Sequence, residues 1–332
     1  MRTASVSVRV LLLACFSLAV ANHLSASQAP SASSPAPRTH LLLITGLSGD
    51  AEHRETFTRL AAGVLDAATA HGIPPAQQHW LAEIAEGDPR IAARATREQV
   101  AEAFDTLARA SRPGDDILIV LIGHGSAVGT TAAFNLPGPD LTAAEYAPLL
   151  ARLTDRRVAF INTASVSGPF AAALAGTGRT IITATASAAE RNETRFAEVF
   201  VAALADAATD RDRDGRLSLQ EVFDATTARV KALYEQEGHL LTEHALLDDQ
   251  PRGTLAGVQY FAQGRPAAAG DVAASPARQQ LIDERDALER QVNDLRLRKD
   301  TLPAADYESQ LDALLTALAA TSRALRDSTR TP

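Results

Sequence analysis

The sequence is short of thiols, of basic excess and of familiar catalytic signatures. Its 332 residues include a single cysteine, Cys15. That residue lies in an apolar run, Val10 to Val20, with Arg2 and Arg9 before it and the small-residue clusters Ala19-Val20-Ala21 and Ser25-Ala26-Ser27 at its end. This order is that of a secretory signal peptide, read here as residues 1–27. The run is about half of the ~20 residues a membrane-crossing helix needs, so no permanent membrane span is expected. Cleavage after Ala21 or Ser27 leaves an exported chain, periplasmic or extracellular, without any thiol. Disulfides, thiolate metal sites and cysteine nucleophiles are thereby excluded. Cleavage ahead of Cys15, as in a lipoprotein, is the lesser alternative because it leaves too short an apolar region. Lys and Arg total 32 against 40 Asp and Glu, a formal charge of -8, and no basic patch stands out. Nucleic acid, whose phosphates need basic groups, is therefore not expected as a partner. The sequence also lacks a G-x-S-x-G elbow, an H-E-x-x-H pair and a P-loop.

What is present is a chain that buries a core, with 46% hydrophobic residues. A Ser/Ala/Pro-rich tether (28–37) leads into a main domain (38–263), an Ala/Gly/Pro-rich linker (264–276) and a charged tail (277–327). In the main domain, apolar runs at 40–45, 79–84, 117–122, 157–162 and 180–184 alternate with helical stripes. Phe57, Leu60, Ala61, Val64 and Leu65 trace one stripe; Val100, Phe104 and Leu107 another; Tyr146, Leu149, Leu150 and Leu153 a third. Thr96 to Gln99 and Thr142 to Glu145 have the spacing of capping boxes. Strands alternating with helices predict an α/β fold, a mainly parallel sheet flanked by helices on both faces. The stretch after His124 reads as a glycine-bearing loop, and the one after Leu233 as polar and turn-rich. In the tail, Leu281, Leu288, Val292 and Leu295 lie on one side of a helix. Pro303 breaks it, and Tyr307, Leu311, Leu314, Leu315 and Leu318 continue on a second. This predicts a C-terminal helical hairpin whose stripes pack on each other, on the main domain or on a second copy. It serves either as structure or as an arm for a protein partner or self-association.

The segment 210–221 meets the calcium-loop pattern of an EF-hand. Asp210, Asp212 and Asp214 occupy loop positions one, three and five, Gly215 permits the turn at six, and Glu221 offers a bidentate carboxylate at twelve. Arg216 would contribute its carbonyl, and Ser218 the ninth position directly or through water. A single loop of this kind outside the cytosol is expected to clamp structure with one Ca2+ ion, at an affinity of order 10⁻⁴–10⁻³ M, rather than to sense it.

Two strand ends carry the remaining chemistry. Ile117 to Ile122 leads into Gly123-His124-Gly125, and Val158 to Ile161 leads into Asn162-Thr163-Ala164-Ser165-Val166-Ser167-Gly168. Open parallel sheets place their chemistry at carboxyl strand ends. A hydroxyl, an imidazole and the backbone N–H groups of Gly125 and Ser165 are the parts of an acyl-transfer site. The His-Gly after one strand and the small-residue cluster ending Ser-Gly after the next resemble the legumain (C13) peptidases and the wider caspase-like clan. The likeness covers about Arg38 to Gln263. A bacterial secreted branch of that family is also matched by Gly46-Leu-Ser-Gly49, Phe134-Asn-Leu-Pro-Gly138 and Glu190-Arg-Asn-Glu-Thr194. The resemblance implies a caspase-like fold, places His124 on the family's catalytic histidine and Gly125 on its oxyanion donor, and puts Ser165 where the family has its cysteine. Thr45-Gly46 offers nothing to match the asparagine that steadies the histidine in legumain-like enzymes. Three functions follow: a peptidase relative with weak or absent activity, an active serine-nucleophile peptidase or transpeptidase, or a non-catalytic peptide-binding scaffold.

Overall fold

A computed structural model describes residues 37–211, 213, 215–249, 255–262 and 276–328. The expected signal peptide, nearly all of the expected tether, Asp212, Asp214 and the expected linker up to residue 275 lie outside the described residues.

Runs of Leu, Ile and Val without polar alternation form strands that must be covered on both faces. They do so here: β1 (Thr39–Thr45) and β4 (Asp116–Ile122) are buried along their whole length. In chain order the other elements of the main domain begin with α1 (Ala51–Ala70), β2 (Gln78–Ala82), β3 (Ile91–Arg94) and α2 (Arg97–Ala110). After β4 come β5 (Gly125–Val128), β6 (Thr131–Phe134), β7 (Leu141–Thr142), α3 (Ala143–Leu150), β8 (Arg157–Asn162), α4 (Gly168–Leu174) and β9 (Arg179–Thr183). The domain closes with α5 (Phe196–Ala205), α6 (Leu219–Glu237) and β10 (Leu246–Asp249). The main sheet has the order β10-β9-β8-β4-β1-β2-β3. All neighbours in it are parallel except β10, which runs antiparallel to β9. The fold is thus mixed α/β with a mainly parallel sheet flanked by helices.

The period of two along each strand divides the core. Leu41 and Leu43 face a layer with Phe57, Val64, Phe200 and Val222, from α1, α5 and α6. Leu42 and Ile44 face the other layer, with Phe104, Tyr146 and Phe170, from α2, α3 and α4. The expected helix starts are seen: Thr96 accepts from the Gln99 N–H, and Thr142 with Glu145 forms a full capping box.

Glu145 also receives Arg97 at 2.6 Å. That guanidinium, with the Thr142 bonds, holds the Glu145 carboxyl at about 2, down from 4.5. A depressed carboxyl stabilises the fold above its ordinary value, and the contribution is lost as pH falls from 4.5 towards about 2. Glu145→Ala is expected to flatten that part of the acid limb in pH-dependent urea unfolding, and to cost about 1 kcal/mol at neutral pH. An unchanged limb would mean the pair is screened away.

Three pieces differ from expectation. The stretch after His124 is a small antiparallel sheet, β5-β6-β7, rather than a loop, and β3 and β10 extend the two edges of the main sheet. Each is only two to four residues long. The tail forms the expected hairpin, α7 (Pro276–Leu297) and α8 (Ala304–Ser328), whose helices pack on each other. It also touches the main domain: Arg216, buried, pairs with Glu289 of α7 at 2.8 Å and lies 3.8 Å over the Tyr260 ring. Among the described residues no helix is long and apolar enough to cross a membrane.

Candidate functional site

Strand order decides what meets at the carboxyl edge. β4 lies between β1 and β8, in register Ile44 to Leu121 and Leu121 to Asn162. The turns after these strands, carrying Ser48, His124 and Ser165, are therefore neighbours, and His124 is the middle one. His124 and Ser165 line one cleft of about 730 Å³ together with Phe57, Glu193, Arg195 and Tyr234.

His124 is half-buried, and its Nε2–H donates to the Ser48 carbonyl at 3.2 Å. A carbonyl only accepts, so the neutral ring carries its proton on Nε2 and its lone pair on Nδ1. As Thr45-Gly46 led one to expect, no side chain at the end of the first strand bonds the imidazole; a backbone oxygen three residues later does. The rings of His53 and Phe57 flank His124 edge-on, with centroids 4.8 and 5.1 Å away. His53 reaches two carboxylates, Asp50 at 2.7 Å and Glu193 at 3.2 Å. The Asp50 hydrogen bond, aided by Glu193, raises the imidazole above its ordinary range against the effect of burial. Neither His53 nor Glu193 was legible as a site residue: their meeting joins α1 to a loop 140 positions away.

Ser165 is buried at 9% exposure, and its hydroxyl donates to the Gly125 carbonyl at 3.4 Å. No hydrogen bond joins the His124 and Ser165 side chains. The Ser165 N–H meets no acceptor among the described residues, which leaves it available to a developing oxyanion. Val166 follows in the left-handed region at φ 59, a conformation that costs a β-branched residue about 1–3 kcal/mol. Its N–H donates to the Glu190 carbonyl at 3.0 Å, and the Thr194 hydroxyl donates to the Thr163 carbonyl at 2.7 Å. Asn135 likewise links the other two turns: its carbonyl accepts from Leu47 and its N–H donates to the His124 carbonyl. Of the stretches 46–49, 134–138 and 190–194, the last lines the cleft, and the first two are bonded to each other and to the His124 turn beside it.

No described residue of 210–221 lines the cleft. In that loop Gly215 sits at φ 85 and donates its N–H to the Asp210 carboxylate at 2.9 Å. Glu221 accepts from the Arg211 N–H at 2.9 Å and forms a capping box with Ser218 at the start of α6. With Asp212 and Asp214 outside the described residues, no group of three or more potential metal-binding side chains is found among the described residues.

No family model matches the chain, and no curated protein matches it. Solved structures similar to it include a Geobacter sulfurreducens protein, 15% identical with a TM-score of 0.46, over 68% of this chain and 99% of that one. Another is the Drosophila initiator caspase Dronc, 12% identical with a TM-score of 0.40, over 64% of this chain and 79% of that one.

Proposed function

We propose that the chain is an exported, legumain/caspase-fold relative of the peptidases, whose cleft binds a peptide or protein segment and whose Ser165 turns over weakly or not at all. The observation that carries this reading is the pairing at the strand ends. Ser165 Oγ bonds the Gly125 carbonyl, and His124 bonds Ser48, so imidazole and hydroxyl share a cleft without sharing a proton. A thiol ionises with little help, whereas a hydroxyl needs its base in hydrogen-bond contact. In catalysis Nδ1 of His124 would take the Ser165 proton, and the Ser165 and Gly125 amides would bind the oxyanion.

The test is Ser165→Cys. With the signal peptide removed the natural chain holds no other thiol, a point the intact mass of the exported protein checks. We expect slow or undetectable hydrolysis of a peptide library by the natural chain, and a gain of roughly 10²-fold or more in thiol-dependent cleavage in the variant, lost again with His124→Ala. No gain would mean that the cleft has no usable catalytic geometry. Val166, held at φ 59 beside Ser165, favours a second reading, an active serine peptidase or transpeptidase. Fast cleavage by the natural chain, abolished by both Ser165→Ala and His124→Ala, would establish it. The loop at 210–221 is assigned one structural Ca2+, and the Asp210 to Gly215 contact and the Glu221 placement support that assignment.

A further inference from the structure

We propose that Glu83 is a positioning residue for His124 and acts on it through Ser48. Glu83 follows β2, next to β1 in the sheet, and its Oε2 gathers three donors. The Ser48 hydroxyl lies at 2.5 Å, the Ser48 N–H at 3.3 Å and Arg54 Nε at 3.3 Å. Ser48 is 2% exposed and has no strand or helix to hold it, since it stands in the turn between β1 and α1. One carboxylate oxygen therefore meets this residue at two points, its contact with the hydroxyl shorter than the 3.0 Å from that hydroxyl to the Asp50 carbonyl, and Arg54 on α1 anchors the carboxylate in turn. Ser48 then presents its carbonyl to His124 Nε2 at 3.2 Å.

The other neighbours of His124 cannot do this work. His53 and Phe57 meet its ring edge-on and restrict its tilt, but no hydrogen bond from either ring to a nitrogen of His124 is formed. Among the described residues only the Ser48 carbonyl distinguishes Nε2 from Nδ1, and its direction depends on what holds Ser48. Burial opposes charge on Glu83, yet the bonds from Ser48 and Arg54 outweigh it and keep the carboxyl below its ordinary range. The carboxylate is thus ionised, and able to accept, at neutral pH. A peptidase-type site built on serine needs a firmly oriented base. Glu83 supplies that orientation from outside the cleft, in place of a side chain hydrogen-bonded to the imidazole. The importance of this for chemistry rests on His124 being the base proposed above; the positioning itself does not.

The experiment follows the His124 ring nitrogens by NMR in the full exported chain, with the imidazole neutral. The natural chain is expected to show the proton on Nε2 and slow exchange of that proton with water. Glu83→Ala is expected to speed the exchange roughly tenfold and to let an Nδ1–H form appear. Glu83→Gln, whose amide oxygen still accepts from Ser48, should restore both. Should Glu83→Ala fail to fold, Ser48→Ala removes the shorter contact, keeps the carbonyl and must change both signals in the same direction. Unchanged tautomer and exchange in the folded variant would overturn the inference, as would an Nδ1–H form in the natural chain. The peptidase reading fails separately: a Ser165→Cys chain that cleaves nothing leaves these ring signals, and their response to Glu83, intact.

Discussion

Gly125→Ala is expected to reduce cleavage by the Ser165→Cys chain by about 10²-fold while the protein still folds. A Cβ at this position would stand 2.0 Å from the Ser165 carbonyl oxygen and 3.1 Å from its carbon. Both atoms are backbone, so no flexible side chain can swing aside. Either the 163–167 turn retreats or the His124 turn does, by about the 1 Å misplacement that costs a catalytic arrangement two orders of magnitude. The retreat is also opposed by bonds already described. Val166 is tied to Glu190 and Thr163 to Thr194. Overpacking of this sort costs typically 1–3 kcal/mol, within reach of a domain whose sheet is buried on both faces. The measurements are the cleavage rate and the melting temperature, side by side. A rate within threefold of the parent would show that the two turns are not held in this contact in solution.

The strands that carry the site were legible because their residues leave little choice. Thr39–Thr45, Asp116–Ile122 and Arg157–Asn162 contain long apolar runs that suit a doubly covered parallel strand. The helices were legible through Phe57, Leu60 and Val64, or through caps such as Thr142 with Glu145. What could not be read was which turns lie side by side. His124 and Ser165 are 41 positions apart, and only the order β1-β4-β8 makes their turns neighbours. The third contact of His124 was hidden for a different reason. It is a main-chain oxygen, which every residue type has, aimed by a glutamate just beyond another strand; no residue type at the end of β1 announces it. The β5-β6-β7 sheet was missed because Ala and Gly supply four of its ten residues and leave no alternation of apolar and polar side chains. β10, Leu246-Leu-Asp-Asp249, reads as polar because Asp249 is drawn inward to accept the N–H groups of Leu255 and Ala256.

Calcium is expected to raise the melting temperature by about 3–10 °C at ~10 mM, and Glu221→Gln to remove that rise. At an affinity of order 10⁻⁴–10⁻³ M, this concentration is about 10 to 100 times Kd. Binding to the folded state alone then stabilises by about 1.4–2.7 kcal/mol, and 1 kcal/mol moves a domain of this size by roughly 2–4 °C. Glu221 makes the discriminating variant because it has two roles. Its carboxylate caps α6 with Ser218, and it accepts from the Arg211 N–H across the loop. Glutamine keeps the cap and loses the charge a bidentate calcium ligand needs. The metal-free melting temperature should therefore stay near that of the natural chain while the calcium response disappears. Magnesium, which demands a tighter octahedral shell, should shift the natural chain less. The loop also holds Arg216, whose guanidinium pairs with Glu289 on α7. Binding of the ion at 210–221 should consequently slow amide exchange in α7 as well as in α6. A calcium rise that persists in Glu221→Gln would place the ion elsewhere, and no rise in the natural chain would leave 210–221 as a capped helix start and nothing more.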